Sequence, residues 1–393
     1  MGSVHLSRRK NTLVFYLSLL VFIFVIGFLL FPPSAKKSIP SFPSTSSSNI
    51  FFNENSVFRK NHKKFDEKRT PPSIVRYQMN NVTTSSDPVG NRETVLILTV
   101  MAHFYQGYWD NLMRLNYPRE LITLGFIIPK DHRGNIGMKA LFEQIKKSQN
   151  SGSIKDKFQS IVIERQDFDI SLVSLSESDK YNFESQKSRR VAISRARNSL
   201  LFTTLNPAIS WVLWLDSDIT ETPPTLIQDL ASHNKPVIVP NCYQKYRDPT
   251  TKELVERPYD FNSWQENEKS RKISEKYRQD EVILEGFTEA STHRSLMAFM
   301  ATKNGDPKFE VKLDGVGGNV LLVKAEVHRD GAMFPPFVFY HLIESEGFAK
   351  MAKRLGWNAT GLPNYKVKVY HPPSLRQETN LFPGISPFGV KDL

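Results

Sequence analysis

Apolar and polar positions divide the chain into an apolar start, a polar stretch and a long alternating region. Leu13 to Phe31 is an uninterrupted run without a charge. Pro32 to about Arg92 is rich in Ser, Pro, Asn and Lys with sparse apolar positions, the composition of a flexible stem. From there, short apolar runs alternate with amphipathic ones. "TVLILTV" (Thr94 to Val100), "LITLGFIIP", "SIVIE" (Ser160 to Glu164), "WVLWL" (Trp211 to Leu215) and "PVIVP" predict buried strands. Tyr105 to Leu115, Met138 to Lys147, Gln186 to Thr203, Pro223 to His233 and the segment "FYHLIESEGFAKMAKRLGW" have helical spacing. A long polar stretch reaches about Gln279, a second apolar section, "LDGVGGNVLLVKAEV", follows it, and a proline-bearing tail begins at Pro372. Strands alternating with helices predict an α/β fold with a mostly parallel central sheet covered on both faces.

The apolar start would span roughly 28 Å as a helix, close to the thickness of a hydrocarbon core. Arg8, Arg9 and Lys10 precede it, and a very short tail carrying three basic residues stays cytosolic. The run exceeds the ~7–15 residues of a signal-peptide core, so a single-pass type II anchor is predicted rather than a cleaved leader. The expected organisation is a cytosolic tail (1–12), an anchor (13–31), a stem (32–92), one lumenal domain (93–371) and a tail (372–393).

The formal charge is +12, from 52 Lys and Arg against 40 Asp and Glu. Much of the excess is between Arg59 and Arg76, where Arg59, Lys60, Lys63, Lys64, Lys68, Arg69 and Arg76 face only Asp66 and Glu67. With no zinc-finger spacing and no basic-aromatic signature, a nucleic-acid partner is not expected. A single cysteine, Cys242, excludes an internal disulfide. Asn81 and Asn358 head Asn-x-Thr sequons, candidate glycosylation sites in a lumenal domain.

The candidate chemistry is at the end of "WVLWL", where Asp216 and Asp218 follow five apolar residues. Positions i and i+2 of a strand share a face, so both carboxylates would point together into the crevice at the carboxyl end of the sheet. Two adjacent carboxylates repel unless a cation or a proton lies between them, and a divalent metal, Mg²⁺ or Mn²⁺, meets that need. The alternatives are an acidic turn and the D-x-D-x-T pattern of a phosphatase, in which the first Asp is a nucleophile. The phosphatase pattern lacks its later pair of adjacent aspartates.

Several long motifs in order, "NLMRLNYPRELITLGFI", "WVLWLDSDITETPPTLIQDL", "RPYDFNSWQE", "LDGVGG" with "VKAEVHRDGAMFP", and "FYHLIESEGFAKMAKRL", resemble the fungal mannan polymerase subunits, Golgi α-1,6-mannosyltransferases that use GDP-mannose. The resemblance runs from about Glu93 to His371, and the short extensions at both ends suit the smallest subunit. It implies a GT-A-type, Rossmann-like fold, a Mn²⁺-dependent site, retaining transfer to α-mannose chains of N-glycans, and assembly with related subunits. It also implies that Asp218 binds the metal, that Asp216 holds the metal through water or the ribose hydroxyls, and that His371 completes the metal shell. A non-catalytic architectural subunit is the alternative within the same family.

Further candidates follow from position. Arg189 and Arg190 open the helix before the Asp strand, with Arg197 two turns on. Such guanidiniums grip diphosphate oxygens, and the resemblance favours Arg189 as a nucleotide contact. Thr99 and Met101, at the end of the first strand, mark where guanine or ribose would lie. Asp260 and Trp264 are candidates to hydrogen-bond and stack on sugar, and Asp314 and Gly315 to bring backbone close to substrate or to make a hairpin turn. Glu344 and Glu346 diverge by roughly 200° on a helix, so at most one is expected to face the sugar. Retention needs a carboxylate nucleophile or front-side attack, and the residues leave both open.

Overall fold

Along β1 (Val95–Val100), Val95 and Ile97 enter one core while Leu96 and Leu98 enter another. Strand β4 (Trp211–Leu215) repeats the division, with Trp211, Leu213 and Leu215 on the first side and Val212 and Trp214 on the second. A strand apolar at every position thus supplies two hydrophobic layers at once, because successive side chains leave opposite faces.

The structure, a computed structural model, describes residues 76–150, 152–167, 182–248, 251–287 and 291–370. The expected anchor at 13–31, most of the stem, the tail and His371 lie outside the described residues. Among the described residues no helix is long and apolar enough to cross a membrane.

The first layer is covered by α1 (Gln106–Arg114), α2 (His132–Asn150) and, further along the chain, α4 (Leu226–Ser232), through residues such as Tyr108, Leu112, Leu141 and Leu230. The second is covered by α3 (Phe183–Thr204), α6 (Ala325–Arg329) and α7 (Glu344–Arg354), through Ala196, Leu200, Val327 and Phe348. Helix α3 begins where Asn182 accepts a hydrogen bond from the Ser185 N–H (2.9 Å), a side-chain cap that fixes where its arginines fall.

Strands β2 (Ile122–Pro129) and β3 (Ser160–Gln166) join β1 and β4 in parallel, in the order β3, β2, β1, β4. The other half departs from the mostly parallel expectation. β11 (Val320–Lys324) lies antiparallel to both β4 and β6 (Val237–Arg247). β12 (Ala359–Val369) runs parallel to β6 but antiparallel to β10 (Val311–Leu313) and to β5 (Ile219–Glu221), and β7 (Leu254–Pro258) returns antiparallel along β6. The sheet is mixed. "VLLV" in β11 is buried on both faces, and that burial gives one apolar run whichever way the strand points. The expected polar stretch also contains β7, α5 (Glu268–Ser274) and β8 (Trp264–Gln265), which pairs with β9 (Ser295–Leu296) further along the chain.

One polar contact in the second core bears on stability. Trp214 Nε1 donates to His328 Nε2 (3.2 Å), and His328 Nδ1 lies 2.7 Å from the Ala332 carbonyl. An acceptor at Nε2 and a donor at Nδ1 make a neutral imidazole, and burial draws the His328 pKa down to about 4.

Candidate active site

β4 stops at Leu215, and the two aspartates occupy the turn that leads to β5. The turn is tied on three sides. Asp216 N–H donates to Asn319 O (2.9 Å), Ile219 N–H to Asp216 O (3.1 Å), and Tyr370 N–H to Asp218 O (2.7 Å). The expectation that the carboxylates share a strand face is corrected: a turn brings them together, clamped by the residue before β11 and the residue after β12. Burial pushes Asp218 up to about 7, with the charge of Asp216 adding to it. Asp218 Oδ1 is buried and has no hydrogen-bond partner. Asp216 is pushed up to about 6 by burial against the opposing pull of Arg197, although 29% of its side chain stays open.

This donor set fits a divalent cation. Two carboxylates whose ionisation is disfavoured, one with an orphaned oxygen, gain most from a hard positive charge with oxygen preference. Among the described residues no group of three His, Cys, Asp or Glu side chains is gathered for a metal, and the expected third ligand, His371, lies outside them.

Arg197 anchors Asp216. Its Nη2 donates to Asp216 Oδ1 (2.9 Å) and to Gly318 O (3.0 Å), its Nη1 is 3.3 Å from Glu344 Oε1, and the guanidinium lies over Phe334 at 5.1 Å. At 2% exposure it is closed off from solvent, which corrects its expected role as a direct nucleotide contact, although its Nε and Nη1 have no hydrogen-bond partner. Arg190, two turns earlier, donates to Glu346 Oε2 (2.6 Å) and to Asn262 Oδ1 (2.8 Å). Glu346 Oε1 accepts from Trp264 Nε1 (2.6 Å) and from Arg294 Nη1 (3.2 Å). Glu344 has a left-handed backbone (φ 55°), so the expected helical divergence does not apply to it, and Glu344 and Glu346 are both buried and each pairs with an arginine of α3. Neither is a free carboxylate. Arg189 is partly buried, and its charge pulls Asp216 and Asp218 downward.

The remaining candidates are scaffold. Asp260 is buried and accepts from Asn262 N–H (2.9 Å) and Ser263 Oγ (2.9 Å), while Ser263 Oγ accepts from Gly317 N–H (2.9 Å). Trp264 is 2% exposed, so it has no open ring face for sugar. Its indole presses on Gly315, where a β-carbon would come within 2.4 Å of Cε2. That close approach, together with the bridge between Trp264 and Gly315, explains the glycine. Asp314 accepts from Glu266 N–H (2.8 Å) and pairs with Lys353 Nζ (2.5 Å). Thr99 Oγ1 donates to Leu215 O (2.8 Å) and meets Tyr108 Oη at 2.6 Å, and Met101 is fully buried. Both serve the strand ends rather than an open crevice. Asn81 and Asn358 are exposed, as a modified asparagine must be.

Three tyrosines escaped the sequence reading. Tyr105 and Tyr259 have hydroxyls pushed up by burial and, after that, by the charge of Asp218, and Tyr370 stacks obliquely on Tyr105 at 5.4 Å. Their one signal was an aromatic immediately after a strand or in a polar stretch, which packing produces equally often.

The Anp1 family model matches residues 73–338, more than half the chain. The chain belongs to the Anp1 family. Family members include the mannan polymerase complex subunit MNN9 of Candida albicans, 45% identical over 367 residues that cover 93% of this chain and 97% of that one. The mannan polymerase complex subunit mnn9 of Schizosaccharomyces pombe is 51% identical over 301 residues, covering 77% and 87%. The family resemblance read from the motifs is thereby shown. Among solved structures, a mannosyltransferase from Pyrobaculum calidifontis in complex with GDP-Man and Mn²⁺ is similar at TM-score 0.39 and 12% identity, over 74% of this chain and 60% of that chain. At that distance it carries no argument about the site.

Proposed function

We propose that the chain is a subunit of a mannan polymerase, a GT-A-type glycosyltransferase that moves mannose from GDP-mannose to α-mannose chains of N-glycans, extending an α-1,6 backbone with retention. In this reading it is held in the Golgi membrane by one type II helix, faces the lumen and works beside related subunits. The observation that carries the proposal is the orphaned, buried Asp218 Oδ1 next to Asp216 at the end of β4. Family membership and the printed names of its relatives supply the substrate class.

In this reading Asp218 and Asp216 hold Mn²⁺ or Mg²⁺, with His371 as a further ligand. When bound, such a cation neutralises charge on the departing diphosphate. Arg197 keeps Asp216 ionised and oriented, and Gly318 and Glu344 keep Arg197 in place. Arg189 adds positive charge where nucleotide phosphates would lie. Glu344 and Glu346 are committed to arginines, which favours front-side attack over a covalent intermediate on either of them. The same commitment favours the second reading, an architectural subunit that organises active relatives.

Calorimetric titration of GDP and UDP, each with and without Mn²⁺, tests the proposal. GDP binding that requires Mn²⁺ and disappears in Asp218→Asn supports a donor site. Equal binding by the mutant, or no binding at all, moves the architectural reading forward.

A further inference from the structure

We propose that a cavity at the amino ends of β1 and β2 binds a saccharide chain, at a place apart from the aspartate turn. The inference takes its ligand class from the transferase reading above and adds a second site for the same polymer. The cavity has a volume of about 760 Å³, within the range of natural small-molecule sites. It lies between the loop that leads from α1 to β2, the short turn Ile154–Asp156 and α4. Its place follows from the register of the sheet. β1 and β4 run in parallel with Val95 opposite Trp211, so the turn after Leu215 is at one end of the sheet and the chain entering β1 is at the other. Tyr117, in the cavity wall, donates its hydroxyl to the carbonyl of Glu93 (2.5 Å), just before β1. The five residues of β4, roughly 17 Å at about 3.3 Å per residue, separate the two ends.

Three polar groups of the wall are uncommitted. Gln228 Nε2 donates to Asn116 O (2.5 Å), which fixes the amide and leaves Oε1 buried without a partner. The Asn116 side-chain amide and the Lys155 ammonium are exposed and make no hydrogen bond or ion pair among the described residues. Gln228 Oε1 can only accept, Lys155 can only donate, and Asn116 can do both. A carboxylate brings no proton for Gln228, and an ammonium brings no lone pair for Lys155. A hydroxyl serves all three. Arg119, also in the wall, is already held by the carbonyls of Met113 (2.9 Å) and Asp156 (3.1 Å), so the site is not built around an anion. Met113, Leu115 and Pro118 add an apolar surface that suits the C–H face of a pyranose.

The test follows the Met113 methyl by NMR of the full chain in detergent, with isotope-labelled methionine methyl groups and the signal assigned by Met113→Leu. Titration with α-1,6-mannotriose, without GDP or metal, should move that methyl saturably, and maltotriose should not. Asn116→Ala and Lys155→Ala, both at exposed positions, should each raise the mannotriose Kd roughly two- to tenfold, the worth of one hydrogen bond. Asp218→Asn should leave that Kd at the wild-type value, because its turn is at the other end of the sheet. A Met113 methyl that does not move, or that moves equally with maltotriose, overturns the site. A methyl moved by the partner subunits alone, and no further by sugar, makes the cavity a protein interface and overturns the site as well. Absence of transfer by the wild-type complex, with the Met113 response intact, overturns the transferase reading alone.

Discussion

Gly318 and Arg197 are packed so closely that a β-carbon at position 318 would lie 2.0 Å from Arg197 Nη1. The guanidinium occupies the volume that any side chain at 318 would need, and its Nη2 bonds both the Gly318 carbonyl and Asp216.

Gly318→Ala should therefore displace Arg197 and release Asp216 without touching a ligand. We expect a loss of roughly 1–3 kcal/mol in stability, the usual cost of overpacking, and a larger proportional loss of Mn²⁺-dependent nucleotide binding. Urea denaturation and calorimetry on the same preparation separate the two effects. Unaltered nucleotide affinity would show that Arg197 does not position Asp216.

Breaking the buried pair between Arg190 and Glu346 should destabilise strongly. Glu346 is inaccessible to solvent and meets Arg190, Arg294 and Trp264. Removing one partner of such a pair costs about 3–5 kcal/mol because the other charge is left buried. Glu346→Gln and Arg190→Met should each lower the urea midpoint, and the double mutant should cost less than their sum. Additive effects would contradict direct coupling.

Asp218→Asn should separate stability from function. Burial and Asp216 both oppose a charge at this position, so a neutral amide relieves a penalty of the order of 1 kcal/mol or more in metal-free protein. Differential scanning calorimetry without metal should give a higher Tm for the mutant, together with lost Mn²⁺-dependent GDP binding. A lower Tm would mean that the carboxylate makes a stabilising contact of its own.

In mild acid His328 should subtract from stability, against the opposite trend of Asp216 and Asp218, whose raised pKa values make the folded chain bind protons more readily there. The folded pKa of His328, about 4, lies below the ordinary value of 6.5. Between those values the unfolded chain binds the proton more readily, so this contribution is complete above about pH 6.5 and is lost as pH falls toward 4. The full effect is on the order of 3 kcal/mol. His328→Gln can still accept from Trp214 and donate to Ala332, but it does not titrate. Between pH 7.5 and 5.0 the mutant's urea midpoint should therefore fall less, or rise more, than that of wild type, and an identical pH dependence in the two would show that His328 makes no such contribution.

The apolar runs of β1 and β4 were legible as buried strands, and their two-sided burial follows directly from an absence of alternation. Strand direction was not, because burial on both faces gives one apolar pattern whether β11 runs up or down. Asp216 and Asp218 were legible from their place after an apolar run, but the local period suggested a strand where the chain makes a turn held by Asn319 and Tyr370. Both of those partners are distant in sequence. Arg197 and Trp264 were recognisable as chemically capable residues. Their neighbours Gly318 and Gly315 absorb that capability into packing, which depends on approach distances that no spacing rule encodes.

Helices α3 and α7 are joined by two rungs, Arg190 to Glu346 and Arg197 to Glu344, and only the second continues to Asp216. An alanine scan that records turnover alone would score all four residues as essential and suggest a large catalytic set. Comparing soluble yield with turnover would sort the same four into a beam that keeps the frame upright and a lever that aims one carboxylate.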